Sequence, residues 1–211
     1  MTTNIKVVVL GAEAVGKTTL IHQVTFLLQE SVDDPKHTTN MDIYRVNVPM
    51  HQKVVNVSVI DAGDKIPKDF NDVDAVLMAF STVSQDSFAK IKLWSSLMHS
   101  FREQEKPMAL VGTKMDLDPQ LVSYEDGFTL SQEVGACYFH LSTSNYGKVR
   151  DVFNFLLQRR LLPEMQPPML AQRQSQGTTQ QTSILNIRGW LWPFFPTCGW
   201  PRKTESKAWY S

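Results

Sequence analysis

The sequence predicts a three-layer α/β fold, a six-stranded, mostly parallel sheet flanked by about five helices. Three observations lead there. Strand-length apolar runs alternate with stretches of helical apolar spacing through residues 4–160. One run, Ala75-Val76-Leu77-Met78-Ala79-Phe80, is apolar at every position, as in a central parallel strand covered on both faces. The first run, Ile5 to Leu10, enters the glycine-framed turn Gly11-Ala12-Glu13-Ala14-Val15-Gly16 with no spacer, which is how a buried strand is joined to a helix.

Each element follows from its pattern. Residues 4–10 form a buried strand, and a helix over 17–29 carries Leu20, Val24, Leu27 and Leu28 on one face. Residues 31–40 (SVDDPKHTTN) are polar, hold a proline and are expected to form a loop. Strands at 41–48 and 53–60 follow, joined by Pro49-Met50-His51-Gln52. Val55, Val57 and Val59 alternate there with Asn56 and Ser58, the period of a half-covered strand. Residues 61–73 make a second polar loop. From Ser84 to about Glu103, Phe88, Ile91, Trp94, Leu97, Met98 and Phe101 recur at helical spacing as core. A strand at 108–112, a helix around 124–135, a strand at 136–141 and a helix over 146–160 complete the domain. That last helix buries Val149, Val152, Phe153, Leu156 and Leu157.

The chain has 211 residues, 42% of them hydrophobic, which suits one α/β domain over 1–162 with two further segments behind it. Residues 163–183 are rich in Gln, Pro, Thr and Ser and read as a disordered linker. Residues 184–211 form an aromatic-basic tail in which Trp190, Trp192, Phe194, Phe195 and Trp200 crowd beside Arg188, Arg202 and Lys203. Formal net charge is zero, and the total gives no sign of a nucleic-acid binder. The balance is uneven. From Pro163 onward five basic residues face only Glu164 and Glu205, so the end of the chain is +3 and residues 1–162 are −3. Two cysteines, Cys137 and Cys198, are too few for a disulfide framework. Without a signal peptide or an apolar stretch near 20 residues, the expected location is cytoplasmic.

Residues 11–18, GAEAVGKT, fit G-x-x-x-x-G-K-[ST], a loop that cradles phosphate. Gly11 and Gly16 let the backbone curl so that its N–H groups face phosphate oxygens. The loop's binding set is Gly11, Ala14, Val15, Gly16, Lys17, Thr18 and Thr19. Lys17 reaches the β- and γ-phosphates, the Thr18 hydroxyl can ligate Mg²⁺, and the helix that opens there turns its positive dipole end to the same anion. In doubly wound sheets ligands sit beyond the carboxyl ends of the strands. The loops after residues 10, 60, 112 and 141 should therefore carry the chemistry.

Thr113-Lys114-Met115-Asp116 follows one of those strands, and Ser142-Thr143-Ser144 follows another. With these motifs in order, residues 4–160 resemble the Ras superfamily of small GTPases. The resemblance implies GTP or GDP with Mg²⁺ as the bound species. It gives Asp116 two hydrogen bonds to guanine, lays the Lys114 stem over the purine, and sets Thr113, Ser142 and Thr143 around the base. Thr38, with Thr39 beside it, falls in the loop that ligates Mg²⁺ and senses the γ-phosphate. Asp61 is the candidate for the magnesium shell and Gly63 for the γ-phosphate contact.

Two departures matter. The family's D-x-x-G-Q becomes Asp61-Ala62-Gly63-Asp64, one residue short, so the aspartate's register falls on either Asp61 or Ile60. No glutamine follows, leaving Asp64 as the one catalytic candidate. Glu13 stands where the family carries a small residue, and must turn outward or pair with Lys65 or Lys68. Both changes imply slow hydrolysis.

Within the superfamily the likeness is Rab-type. TTNMDIYRVNVP at 38–49 and SVIDAGDK at 58–65 resemble Rab-like GTPases of intraflagellar transport, which would imply a partner protein and a ciliary, trafficking role. The last residues carry no prenylation box. Residues 184–203 read as a peripheral membrane contact with Cys198 open to acylation, as a partner-docking peptide, or as an unselected extension. Two functions stand side by side: a slow guanine-nucleotide switch, and a pseudo-GTPase that pairs with a partner whether or not nucleotide turns over.

Overall fold

The computed structural model describes residues 3–27, 36–38, 41–50, 53–63 and 72–161. Within them the order is β1 (Thr3–Gly11), α1 (Lys17–Leu27), β2 (Lys36–Thr38), β3 (Met41–Met50), β4 (Lys53–Asp61), β5 (Ala75–Ser81), α2 (Gln85–Ser95), α3 (His99–Glu103), β6 (Met108–Thr113), α4 (Tyr124–Val134), β7 (Cys137–His140) and α5 (Tyr146–Leu161). The six expected strands are present, and Lys36–Thr38 adds a three-residue seventh inside the stretch read as a loop. It pairs antiparallel with Met41–Ile43 across the two-residue connection Thr39-Asn40. A segment that short gives no alternation to read, and only its partner strand reveals it.

The sheet order is β2-β3-β4-β1-β5-β6-β7. β1 pairs in parallel with both β4 and β5, and β5–β6–β7 continue in parallel, so the sheet is antiparallel only at the β2–β3–β4 end. Helices α1 and α5 cover one face. Their core holds Leu20, Ile21, Val24, Val149, Val152, Phe153, Leu156 and Leu157 against the odd-numbered valines of β1 and β4. The other face packs Val8, Leu10, Met78, Phe80 and Leu110 under Phe88, Ile91, Trp94, Met98, Phe101 and Leu130.

The expected helix at 84–103 is broken: α2 ends at Ser95, a 3₁₀ turn spans Ser96–Met98, and α3 resumes at His99. Ser84 caps α2 by accepting from the Ser87 amide. Ser123 and Asp126 form a capping box on α4, which Gly135 closes in the left-handed conformation. The expected positions at Leu28, Thr39, Asp64, Lys65 and Lys68, the linker at 163–183 and the tail at 184–211 lie outside the described residues, as do the side chains of Leu27, Thr38 and Leu97. Among the described residues no helix is long and apolar enough to cross a membrane.

Candidate functional site

All the loops singled out in the sequence open at one end of the sheet. The first runs from Gly11 to Lys17. A Cβ on Gly11 would sit 2.5 Å from the Ala79 carbonyl oxygen and 3.0 Å from Val15, so only glycine lets the loop leave β1 this close to β5. Ala14 and Gly16 have positive φ (57° and 98°), which reverses successive peptides and curls the loop. Val15 is buried and anchors the turn. Lys17 is buried too, at 7% exposure, and its ammonium donates to the Ala12 carbonyl at 2.7 Å. A cation this deep at the start of a helix makes the place attractive to an anion. Thr18 and Thr19 are exposed on the first turn of α1, and Glu13 is exposed in the loop before it.

The second loop follows β4. Asp61 is buried; its carboxylate accepts from the Thr18 hydroxyl at 3.0 Å and from the Gly63 amide at 2.9 Å. These contacts place Asp61 beside the phosphate loop. Asp61, not Ile60, faces the phosphate loop, because odd-numbered β4 residues point to the α1 side while Ile60 packs toward α2 and α3. Gly63 has φ 61° with open space around it, so the missing residue of D-x-x-G is absorbed by a tight left-handed turn. Two oxygen donors this close suit a hard cation such as Mg²⁺, and Thr38 lies on β2, opposite Met41.

The third and fourth loops meet the first. Thr113 is wholly buried at the end of β6, with its hydroxyl 2.7 Å from the Val15 carbonyl oxygen and 2.9 Å from that of Phe80. Lys114 follows with φ 60°, and the Leu117 amide donates to its carbonyl at 3.1 Å, so a tight turn presents Asp116 to solvent. Ser142 accepts from the Ser144 amide and pairs with its hydroxyl at 2.6 Å, while the Thr143 methyl would lie 3.4 Å from a Cβ on Gly16. The turn continues into α5, whose first free amides Asn145 caps through Lys148.

One residue that the sequence did not single out belongs to this constellation. Thr82, fully buried just past β5, donates its amide at 3.0 Å and its hydroxyl at 2.8 Å to the Thr113 carbonyl oxygen. The only signal for it was a polar residue closing an otherwise apolar run.

A phosphate-type loop, a carboxylate beside its hydroxyl, and a base-type loop tied to it by Thr113 define a P-loop protein of the small-GTPase class. Comparison with known proteins agrees. The Ras family model matches residues 6–161, and the chain belongs to the Ras family. It is 27% identical over 165 residues to the Ras-related protein Rab-21 of Mus musculus, covering 74% of this chain and 72% of that one. Ras-related protein Rab-7b of Mus musculus is 25% identical over 168 residues (75% and 83%), and Rab-21 of Geodia cydonium 27% over 174 residues (79% and 74%). The chain is thus a Rab-like small GTPase by family, as its motifs led one to expect.

Proposed function

We propose that this protein binds GTP and GDP with Mg²⁺ and works as a slow, Rab-like switch in vesicle or intraflagellar trafficking. The observation that carries the reading is the convergence at Thr113, whose hydroxyl bridges the phosphate loop and β5 while its chain continues directly into Lys114-Met115-Asp116. Phosphate grip and base reading are then held in one fixed relation. In this reading the loop N–H groups and Lys17 hold the phosphates, Thr18, Thr38 and Asp61 hold Mg²⁺, and Asp116 accepts from guanine. The metal would supply charge neutralisation at the β- and γ-oxygens. The exchanged state is read by an effector protein on the cytoplasmic side of a membrane, with residues 184–203 available for peripheral contact.

A second reading, the scaffold that pairs with a partner without turnover, draws support from the shortened Asp61-Ala62-Gly63 turn and the missing glutamine. Native mass spectrometry of the purified protein separates the two. Copurifying GDP or GTP supports the switch, whereas a nucleotide-free protein that still captures its partner supports the scaffold. Base identity is tested by Asp116→Asn, which inverts the hydrogen-bond demand at the base edge. It should shift preference from guanine toward xanthine nucleotides, each bond to a charged acceptor being worth about 1.5–3 kcal/mol. Unchanged preference would remove Asp116 from the base site.

A further inference from the structure

The loop from Lys114 to Gln120 has little packing of its own: Met115 and Leu117 are both substantially exposed. Both of its ends are nevertheless fixed, and by the same residue. At the entry, Thr82 donates two hydrogen bonds, from N and Oγ1, to the carbonyl oxygen of Thr113, the peptide that leads into Lys114. At the exit, the Thr82 carbonyl accepts from the amides of Leu121 at 2.8 Å and Val122 at 3.0 Å. Thr82 and Thr113 are 0% exposed and Val122 1%, so water is kept from the entry bonds and from the Val122 bond at the exit.

We propose that Thr82 is a positioning residue for base recognition: it clamps both ends of the 114–120 loop and thereby sets the aim of Asp116. The proposal rests on the guanine reading of Asp116 given above. The entry clamp matters most because Lys114 sits at φ 60°, a conformation a lysine adopts only when its flanking peptides are held. The hydroxyl bond is one the backbone alone does not provide. Valine at position 82 would keep the two backbone arrangements and the shape, lose only the hydroxyl, and leave no orphan, since the Thr113 oxygen retains the Thr82 amide.

The test compares wild type, Thr82→Val and Thr82→Ser by two readouts. Amide exchange on the nucleotide-free protein should show faster exchange at Leu117, on the entry side, in the valine variant, with Leu121 and Val122 still protected by the retained carbonyl of residue 82, and wild-type protection throughout in the serine variant. Competition against a labelled GDP should show the preference for GDP over inosine diphosphate, which lacks the 2-amino group, falling about three- to tenfold in Thr82→Val, with serine restoring it. Unchanged exchange overturns the clamp. Faster exchange with an unchanged GDP-to-inosine-diphosphate ratio overturns the link to Asp116 and leaves Thr82 a structural tie. If wild type favours neither base, it is the guanine reading that fails and the aim of Asp116 falls with it, while the exchange data still judge the clamp.

Discussion

The two halves of the sheet are built differently. In β5 and β6 every residue is buried, with helices on both faces. Among the described residues only one face of β3 and β4 is covered: Tyr44, Val46, Val48, Val55, Val57 and Val59 are buried, while Arg45, Asn47, Asn56 and Ser58 look the other way. The register lines these polar residues into rungs, Asn4–Asn56–Asn47 and Lys6–Ser58–Arg45, along a cleft of about 510 Å³ on the sheet face. The fully covered half positions the base loop, and the half-covered one leads to the loops that would sense a γ-phosphate. Between Asp61 and Ala75 the chain has only 13 residues, 62–74. The contrast teaches that, in the proposed reading, grip on nucleotide and response to it are separable in one sheet: the fully covered half carries the base motif in the family's pattern, and the half-covered one leads into the shortened Asp61-Ala62-Gly63 turn.

The contrast is broken most sharply by packing changes. A Cβ at Gly127 in α4 would run into the Tyr138 hydroxyl and ring, held in β7 between Gly127 and Gly112. Gly127→Val should therefore cost about 2–3 kcal/mol in urea unfolding. Asn56→Ala on the half-covered face should stay within about 0.5 kcal/mol of wild type. Equal losses at both positions would mean the second half is covered as tightly as the first.

Next in size is the phosphate grip. Lys17→Ala or Thr18→Asn should weaken triphosphate binding at least tenfold, about 1.4 kcal/mol, by titration calorimetry with and without Mg²⁺. Mutants that bind like wild type would detach the loop from nucleotide and favour the scaffold reading.

These predictions also mark what the sequence made legible. Gly11, Gly16, Lys17, Thr113 and Asp116 belong to motifs defined by spacing along the chain, and local order suffices to single them out. The Asp61–Thr18 contact joins residues 43 apart, and a turn one residue short leaves two registers open until β4 is seen against β1. Lys36–Thr38 is too short for a period, and the 3₁₀ break at Ser96–Met98 keeps the helical spacing that hid it. Thr82 was invisible because its partner, a carbonyl, has no sequence signature.

A smaller effect is expected from pH. His140, at the end of β7 beside the Ser142 turn, has its pKa lowered from 6.5, first by burial and then by Lys148. Its Nε2 is buried without a partner among the described residues. Below pH 6.5 the unfolded chain takes up a proton that the folded one resists, so this stability is present above 6.5 and lost as pH falls through the folded value. Urea midpoints between pH 7.5 and 5.5 should fall in wild type and flatten in His140→Asn. A midpoint that rises on acidification would reverse the assignment.

The smallest effect should come from repairing the reduced half. Hydrolysis by the unmodified protein is expected at or below the ~10⁻⁴ s⁻¹ scale of unassisted small GTPases, since no glutamine follows Gly63 to orient water. Replacing Asp64 with Gln and Glu13 with Gly together should raise single-turnover GTP hydrolysis, but only about threefold, well under the 1.4 kcal/mol of a tenfold change. A glutamine at 64 follows a left-handed Gly63 whose amide is bound to Asp61 two residues back, and stands one residue nearer that aspartate than in the family's spacing. A hundredfold rise would break the comparison, showing that the response half lacks one side chain and nothing else. Turnover at ~10⁻² s⁻¹ in the unmodified protein without a partner would show that another group orients the water, since P-loop relatives reach such rates only with an added transition-state donor.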